Sequence, residues 1–314
     1  MTTASTNTTV SMASSATFQA WVAEIVTMLF TTLGVTQTTD TGQINPATVS
    51  VPGTANTSAG YVIGRFNDTA QATSPIFFKL EFGTNGTATN PAMWITIGTG
   101  SNGAGTLTGV VGTRVILSQN TTIASPGVTP YITRACYNTT NGVLWLAWKL
   151  NGTGTTNQCI AGFAITRSND SNGNVTTDAV GLYVNSATTT PVSQAASAQF
   201  ISYLTNTAYN GTNGTNVQAW CAFPFHATVT LFSTNAQIGP VWQYTPVLGI
   251  NNWLAIALVG EFAVGTTVSI ANVGATAHTY IAAGCPFNTS NFGEQVLSCI
   301  GGAANTYTMV MVWE

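Results

Sequence analysis

The sequence contains very little charge. Only 5% of its 314 residues are charged, whereas about 25% is usual for soluble domains. Six Lys and Arg residues scattered along the chain form no basic patch, and nucleic-acid-binding proteins need such cations to neutralise phosphates. We therefore expect no nucleic-acid partner. The net charge of −3 gives weak repulsion between copies, which favours packing against copies of the same chain or against other proteins.

Residues that commonly carry catalysis or bind metals are also scarce. The sequence has two histidines, His226 and His278, and its nine carboxylates lie far apart. General acid and base chemistry needs paired groups of this kind, and no G-x-S-x-G nucleophile motif is present. We expect no enzyme activity, no metal and no cofactor. A hydrolase site assembled from distant strands stays open as a third alternative behind the two functions considered below.

The five cysteines are widely spaced and include no C-x-x-C pair, so the sequence lacks the spacing of a zinc or thioredoxin-like site. We expect buried free thiols. One bridge between neighbouring strands, from Cys136 to Cys159, stays open as an alternative.

Long apolar runs are absent as well. The longest are residues 21–30, interrupted by Glu24, and residues 253–260, and both are shorter than the roughly 20 residues of a membrane-spanning helix. We expect no membrane insertion. No basic segment followed by an apolar stretch occurs at the N-terminus, so we expect no secretory signal. The frequent N-x-S/T triplets are then explained by the abundance of Asn and Thr rather than by glycosylation.

Aromatic residues, in contrast, are plentiful, with eight Trp, nine Tyr and fourteen Phe. Disordered chains are poor in aromatic residues, so the composition predicts a folded core. The start of the chain carries no such pattern, and we predict that residues 1–13 form an arm that becomes ordered only on a partner. Residues 14–314 are predicted to form a single large β-rich domain, with a subdivision near residues 185–199 left open.

Residues 14–34 are predicted to form the one helix of the chain. Apolar residues recur there at helical spacing, Ser14, Ser15 or Thr17 is suited to cap the start, and Gly34 is suited to end the helix. The apolar face must pack on a sheet or on a neighbouring subunit, and we predict that it serves assembly. Its members are Phe18, Trp21, Val22, Ile25, Met28, Leu29 and Leu33.

After the helix the apolar period changes to two, which indicates strands. Residues 76–83, IFFKLEFG, alternate cleanly, and residues 131–184 read as a meander of strands joined by Asn- and Gly-rich turns. Residues Val143–Leu150 are apolar on both faces, which predicts a central strand covered on both sides. The fold class is therefore predicted as mainly β: an antiparallel β-sandwich or barrel-like domain with one N-terminal amphipathic helix.

A glycine-rich segment raises the question of nucleotide binding. Gly98, Gly100 and Gly103 form a G-x-G-x-x-G pattern directly after a predicted strand. A dinucleotide site needs a helix to begin there and an acidic residue about 20 positions later. The following residues are rich in Gly and β-branched types, which form helices poorly, and no Asp or Glu lies between Glu81 and Asp170. We therefore interpret residues 98–109 as a long, flexible, uncharged loop between two strands.

The first 60% or so of the chain resembles a group of virion structural proteins of tailed bacteriophages. The resemblance lies in the helix that ends in Leu-Gly, the D-T-G-Q segment at 40–43, the strand PIFFKLEFG at 75–83, the loop GTGSNGAG at 98–105, and the segment 163–184. The resemblance implies a place in the virion, as a tail, fibre or decoration component. It implies copies of the chain itself and other virion proteins as partners, and it supplies no catalytic residues. Because the glycine loop recurs in that group in an all-β context, the resemblance also implies that residues 98–109 are a structural or inter-subunit loop.

A receptor-binding module of the phage particle is the alternative from another functional class. Host glycans are held by exposed aromatic platforms with polar neighbours, and Trp242, Tyr244 and Trp253 are the candidates for such a platform. The contrasting interpretation is that these aromatic residues belong to the core. Exposure of the three side chains at a free tip would favour glycan binding.

Overall fold

In the computed structural model, the described part of the chain is mainly antiparallel β-sheet with one N-terminal helix. This confirms the predicted fold class at that level. The structure describes residues 2–10, 14–84, 91–118, 129–140, 142–150, 160–169, 175–185, 196–201, 208–212, 237–243, 249–258, 267–271, 277–284 and 307–312.

The predicted helix is present as helix α1, Ser15–Val26, which continues as a π-helix over Thr27–Thr32. Ser14 caps the start, because its hydroxyl accepts a hydrogen bond from the Thr17 amide at 3.4 Å. Gly34 follows the last turn with φ +75°, the left-handed conformation that glycine adopts most easily. The start and the end of the helix were therefore both predicted from the sequence.

The apolar face of the helix is part of the core of its own chain. All seven predicted members are at most 4% exposed and pack into one hydrophobic cluster with strands of both large sheets. The helix face was predicted to pack either on a sheet or on a neighbouring subunit, and in the structure it packs on the sheets. Strands of the same chain therefore cover this face, and its role in assembly stays a prediction. The residues of the face are Phe18, Trp21, Val22, Ile25, Met28, Leu29 and Leu33.

A five-stranded antiparallel sheet follows the helix in the chain. Its order is β2-β3-β4-β5-β8. The alternation predicted for residues 76–83 is confirmed, since Ile76, Phe78, Leu80 and Phe82 are fully buried. The strands are β2 Thr36–Gln37, β3 Ser58–Arg65, β4 Phe77–Thr84, β5 Pro91–Gly98 and β8 Val111–Ser118, with the short pair β6 Gly100–Ser101 and β7 Leu107–Thr108 between β5 and β8.

The remaining described strands form a second sheet. Its main path is β1-β9-β10-β11-β16-β19-β18-β17, and β12, β13, β14 and β15 pair at its sides. The strands are β1 Thr2–Val10, β9 Thr129–Asn138, β10 Val143–Leu150, β11 Ile160–Asn169, β12 Val175–Asn185, β13 Ala196–Ile201, β14 Ala208–Thr212, β15 Gln237–Gln243, β16 Gly249–Leu258, β17 Thr267–Ala271, β18 Ala277–Gly284 and β19 Tyr307–Val312.

The predicted meander is confirmed in strands β9 to β12. Each strand pairs antiparallel with the next, and β10 lies between β9 and β11. Val143, Leu144, Trp145 and Leu146 are all fully buried, so consecutive residues on both faces of β10 are covered. Strand β10 is therefore the central, doubly covered strand that its continuous apolar run predicts.

The predicted N-terminal arm contains a strand, and its dependence on a partner for order stays a prediction. Thr2–Val10 forms strand β1 and pairs antiparallel with β9, from Thr2 opposite Tyr137 to Val10 opposite Thr129. The physical reason is compositional, because threonine has a high strand propensity and main-chain pairing requires no apolar pattern. The absence of apolar residues therefore did not imply the absence of structure.

Residues 186–195, within the stretch considered as a subdivision, lie outside the described residues. The strands on either side of them, β12 and β13, pair antiparallel in one sheet, with Val184 opposite Ala196. A subdivision near residues 185–199 stays an open prediction.

The main core lies where α1, the five-stranded sheet and strands β9–β11 meet. A buried ion pair crosses this junction: Arg167 on β11 donates from Nε to Asp68 Oδ2 at 2.5 Å and from Nη2 to Asp68 Oδ1 at 2.9 Å. The same Nη2 donates to the Ser74 carbonyl at 3.0 Å. The guanidinium thus ties β11 to the segment between β3 and β4.

Cys136 on β9 is buried and free. Burial raises the pKa of its thiol to about 12, so it is an unreactive core residue. This confirms the prediction of a buried free thiol at this position. The alternative partner, Cys159, and the other three cysteines lie outside the described residues.

Candidate functional site

The glycine loop, residues 98–109, forms a small hairpin on the surface. Strands β6 and β7 pair with Gly100 opposite Thr108, and the Asn102 amide donates to the Thr106 carbonyl at 3.0 Å. Residues 102–104, 106 and 108–110 are exposed. The tip of the loop is therefore an uncharged surface of small and polar residues.

The loop is fixed to residues 40–43, which are distant in sequence. The Asp40 carboxylate accepts hydrogen bonds from the Ser101 hydroxyl and, at 3.0 Å, from the Gly105 amide. The Thr41 amide donates to the Gly103 carbonyl at 3.0 Å. We call these two segments, with Tyr61 and Lys79 beneath them, the loop patch. Its two segments are the D-T-G-Q and GTGSNGAG motifs on which the resemblance rests.

Tyr61 and Lys79 hold the loop patch from the strands below. Lys79 donates from Nζ to the Gly105 carbonyl at 2.9 Å and lies 4.2 Å from the centre of the Tyr61 ring, which is close enough for a cation–π interaction. The Tyr61 hydroxyl donates to the Thr41 carbonyl at 2.6 Å. Polar groups of both segments are thus satisfied within the patch.

The charge at the centre of the loop patch is stabilised by hydrogen bonds. Burial raises the pKa of Asp40, but hydrogen bonds from the Ser101 and Thr38 side chains and from the Gly105 amide outweigh burial and lower it overall. Burial, and then the charge of Asp40, raise the pKa of Tyr61. A lowered carboxyl pKa stabilises the fold above the unfolded value of about 3.9. This stabilisation is lost as the pH falls through the lowered pKa of folded Asp40.

Two glycines of the loop are required for different reasons. Gly103 has φ +78° and Gly105 has φ +84°, a region that L side chains adopt at a cost. A Cβ on Gly103 would meet open space, whereas one on Gly105 would overlap the Tyr61 hydroxyl. The sequence raised phosphate binding as a reason for Gly103, but its backbone angle accounts for it. The backbone angle and the close packing on Tyr61 account for Gly105.

This difference gives a matched pair of variants. Gly103→Ala is expected to lower the free energy of unfolding by about 1 kcal/mol, the cost of the left-handed conformation alone. Gly105→Ala is expected to cost about 1–3 kcal/mol more, because the new methyl group displaces Tyr61. Urea titration of both variants measures the difference. Equal losses would contradict the packing of Gly105 on Tyr61.

The structure also addresses the nucleotide interpretation directly. Strand β8 follows the glycine loop, as the sequence predicts, so no helix N-terminus lies there to receive a pyrophosphate. The Gly105 amide already donates to Asp40. We expect no rise in melting temperature with ATP, NAD or FAD. A rise that Gly103→Ala abolishes would contradict the structural interpretation.

The proposed glycan platform is only partly described. Trp242 lies on β15 and Trp253 on β16, and these strands pair antiparallel, so two of the three residues share one hairpin. Tyr244 lies outside the described residues. Where the structure describes side-chain burial, Val110, 47% exposed, is the exposed large hydrophobic residue, and the aromatic side chains there are buried or partly buried.

Sequence reasoning did not single out Asp40, Tyr61 or Lys79. In a chain with 5% charged residues, however, each charged residue is a reason to look for its polar partner in the fold. Lys79 stands in the middle of an apolar alternating strand, and Asp40 stands in a turn segment between the helix and the first long strand. Charges in such positions need polar partners. Asp40 accepts from the Gly105 amide and Lys79 donates to the Gly105 carbonyl, so both charges have partners within one patch.

Within the described residues, no three His, Cys, Asp or Glu side chains are grouped closely enough to hold a metal ion. His278 lies on β18, and His226 lies outside the described residues. No described helix combines the length and the hydrophobicity needed to cross a membrane.

Comparison with protein families, curated proteins and solved structures returns no match. The residues of this chain and their geometry are therefore the basis for inferring its function.

Proposed function

We propose that this protein is a structural subunit of a tailed-bacteriophage virion, as a tail, fibre or decoration component. One observation carries the proposal: the D-T-G-Q and GTGSNGAG motifs, 61 residues apart at Asp40 and Ser101, join in one braced surface patch. The resemblance rests in part on these two motifs, and their contact forms a single surface for a neighbouring subunit.

The surface of the loop patch suits contact with other subunits. Asn102, Ala104 and Thr106 are exposed at its tip, and the loop has no charge to desolvate when a neighbour covers it. The hydrogen bonds that Asp40 and Lys79 make with the loop hold it in one conformation before it binds. Little conformational entropy is therefore lost on binding. We propose copies of the chain and other virion proteins as the partners.

The proposed fold of such a subunit is a β-sandwich. The five-stranded sheet and strands β9–β11 contribute buried residues to one cluster, with α1 beside them. Packing of two sheets through their apolar faces is the arrangement that defines a sandwich. A barrel would instead require the sheet to close on itself.

Assembly can be tested on the protein and on the particle. We expect oligomers by light scattering at micromolar concentration, and contacts in the particle that bury more than about 800 Å². Mass spectrometry of purified virions would give the copy number. A stable monomer that is absent from virions, or that has only smaller contacts within them, would contradict the proposal.

A pair of alanine variants tests the loop patch as the contact surface. Ala104 lies exposed at the tip of the glycine loop, and Ala47 lies exposed on another loop. We expect Ala104→Arg to reduce assembly without lowering the melting temperature, because a buried, unpaired charge is costly only in the contact. Ala47→Arg is the matched control. Equal assembly of both variants would show that the contact lies elsewhere.

The alternative function, glycan binding, is favoured by the placement of Trp242 and Trp253 on paired strands. Stacking of a sugar on their rings would be lost in Trp242→Ala and Trp253→Ala. Glycan-array binding that both substitutions abolish, without loss of folding, would support this function over a purely structural one.

A further inference from the structure

Strand β1 is attached to its sheet mainly through its backbone. It pairs with β9 over nine residues, but of its side chains that the structure describes, Ala4 is the one that packs against the core. Strand β4, in contrast, buries Phe78, Leu80 and Phe82 completely. Since apolar burial supplies most of the stabilising free energy, β1 is held far more weakly than β4.

Polar groups lie in the layer beneath β1. Glu24 of α1 accepts a hydrogen bond from the Thr6 hydroxyl of β1. Burial raises the pKa of Glu24, although the nearby hydroxyls of Thr6 and Thr133 act to lower it. The buried Thr133 hydroxyl, opposite Thr6 in the register, makes no hydrogen bond of normal geometry among the described residues. Desolvating these groups costs free energy, which further weakens the attachment of β1.

The position and the composition of β1 allow it to pair elsewhere. It precedes α1 in the chain, separated from the Ser14 cap by residues 11–13. It carries neither proline nor charge, which are the usual devices that prevent a strand from pairing with another chain. Pairing through main-chain groups can be reproduced in full when the strand of one copy pairs with the β9 of another.

We propose that β1 is an exchangeable strand, and that in the assembled protein β1 of one copy occupies the β9 edge of a second copy. The inference rests on the proposed self-assembly and names how two copies are joined. Each exchanged strand keeps the register that the structure shows, with Thr3 opposite Cys136. Cross-strand partners lie close together on one face. A covalent bond between these two positions therefore shows which copies are paired.

A disulfide across this pair tests the exchange. One copy carries Thr3→Cys together with Cys136→Ala, so its new thiol can lie opposite Cys136 only on another copy. We expect oxidation of its mixture with wild-type protein, refolded together, to give a covalent dimer that reduction removes. A copy carrying Thr3→Ala and Cys136→Ala is the matched control and should give no such dimer.

Thr3→Cys with Cys136 retained shows whether the pair can be oxidised at all. If it forms a bond within one chain while the mixture gives no dimer, the exchange is refuted. If the pair does not oxidise, Ala4→Cys and Ala135→Cys, which are also register partners, replace it in the same design with the same two outcomes. Light scattering of the same samples separates the proposals: assembled protein without covalent dimers refutes the exchange alone, and monomeric protein refutes self-assembly.

Discussion

Replacing Asp68 with alanine is expected to lower the free energy of unfolding by about 3–5 kcal/mol. The Arg167 side chain is fully buried, and Asp68 is its bidentate carboxylate partner. Without that carboxylate, a desolvated guanidinium charge stays at the junction of the two sheets. Chemical denaturation of the variant measures the loss.

Two controls separate this effect from a general loss of ion pairs. Glu81 and Arg114 form a more exposed pair at 2.8 Å, and Glu81→Gln is expected to cost less than about 1 kcal/mol. Asp68→Leu combined with Arg167→Met removes both buried charges and should recover most of the stability lost in Asp68→Ala. Similar losses for Asp68→Ala and Glu81→Gln would contradict the structural importance of the buried pair.

Ile25→Asp is expected to prevent folding at 25 °C. Ile25 is fully buried in the core cluster between the helix and the sheets. An unpaired carboxylate there costs several kcal/mol, which is comparable to the whole stability of a typical domain. Circular dichroism and size-exclusion chromatography of the expressed variant would detect the loss of the cooperative fold.

Ala20→Asp is the matched control for this substitution. Ala20 is exposed on the same helix, so the change costs only helix propensity, below about 1 kcal/mol. If Ile25→Asp melted like Ala20→Asp, the placement of the helix face in the core would be wrong.

Local patterns predicted the elements of the fold well. The helix was predicted from apolar spacing and from Ser14 and Gly34 at its ends, and the alternation around Phe78 and Leu80 predicted β4. The sequence did not predict the π-helical turns at Thr27–Thr32, because an apolar spacing of four residues is compatible with both kinds of helix. It did not predict β1 either, since β1 is specified by main-chain pairing rather than by side-chain burial.

The candidate site was predicted only in part. The poor helix propensity of the residues that follow the glycine loop predicted that no helix begins there, and the structure places strand β8 there. Its contact with Asp40 depends on tertiary structure that brings residues 61 positions apart together, and no local pattern encodes that. The destination of the helix face was ambiguous for the same reason, because an apolar face specifies burial but not the surface that buries it.

The buried pair of Asp68 and Arg167 has a consequence for how related sequences diverge. Either residue is harmful without the other, whereas the loss of both together is tolerable, so substitutions at the two positions should be correlated among relatives. Gly142 belongs to the same group, because it has φ +60° and a Cβ there would overlap the Asp68 carboxylate. A lineage that replaces the ion pair with apolar residues would make space beside Gly142, although the positive φ would still disfavour larger residues there. The three positions should therefore evolve as one unit, even though 99 residues separate Asp68 from Arg167.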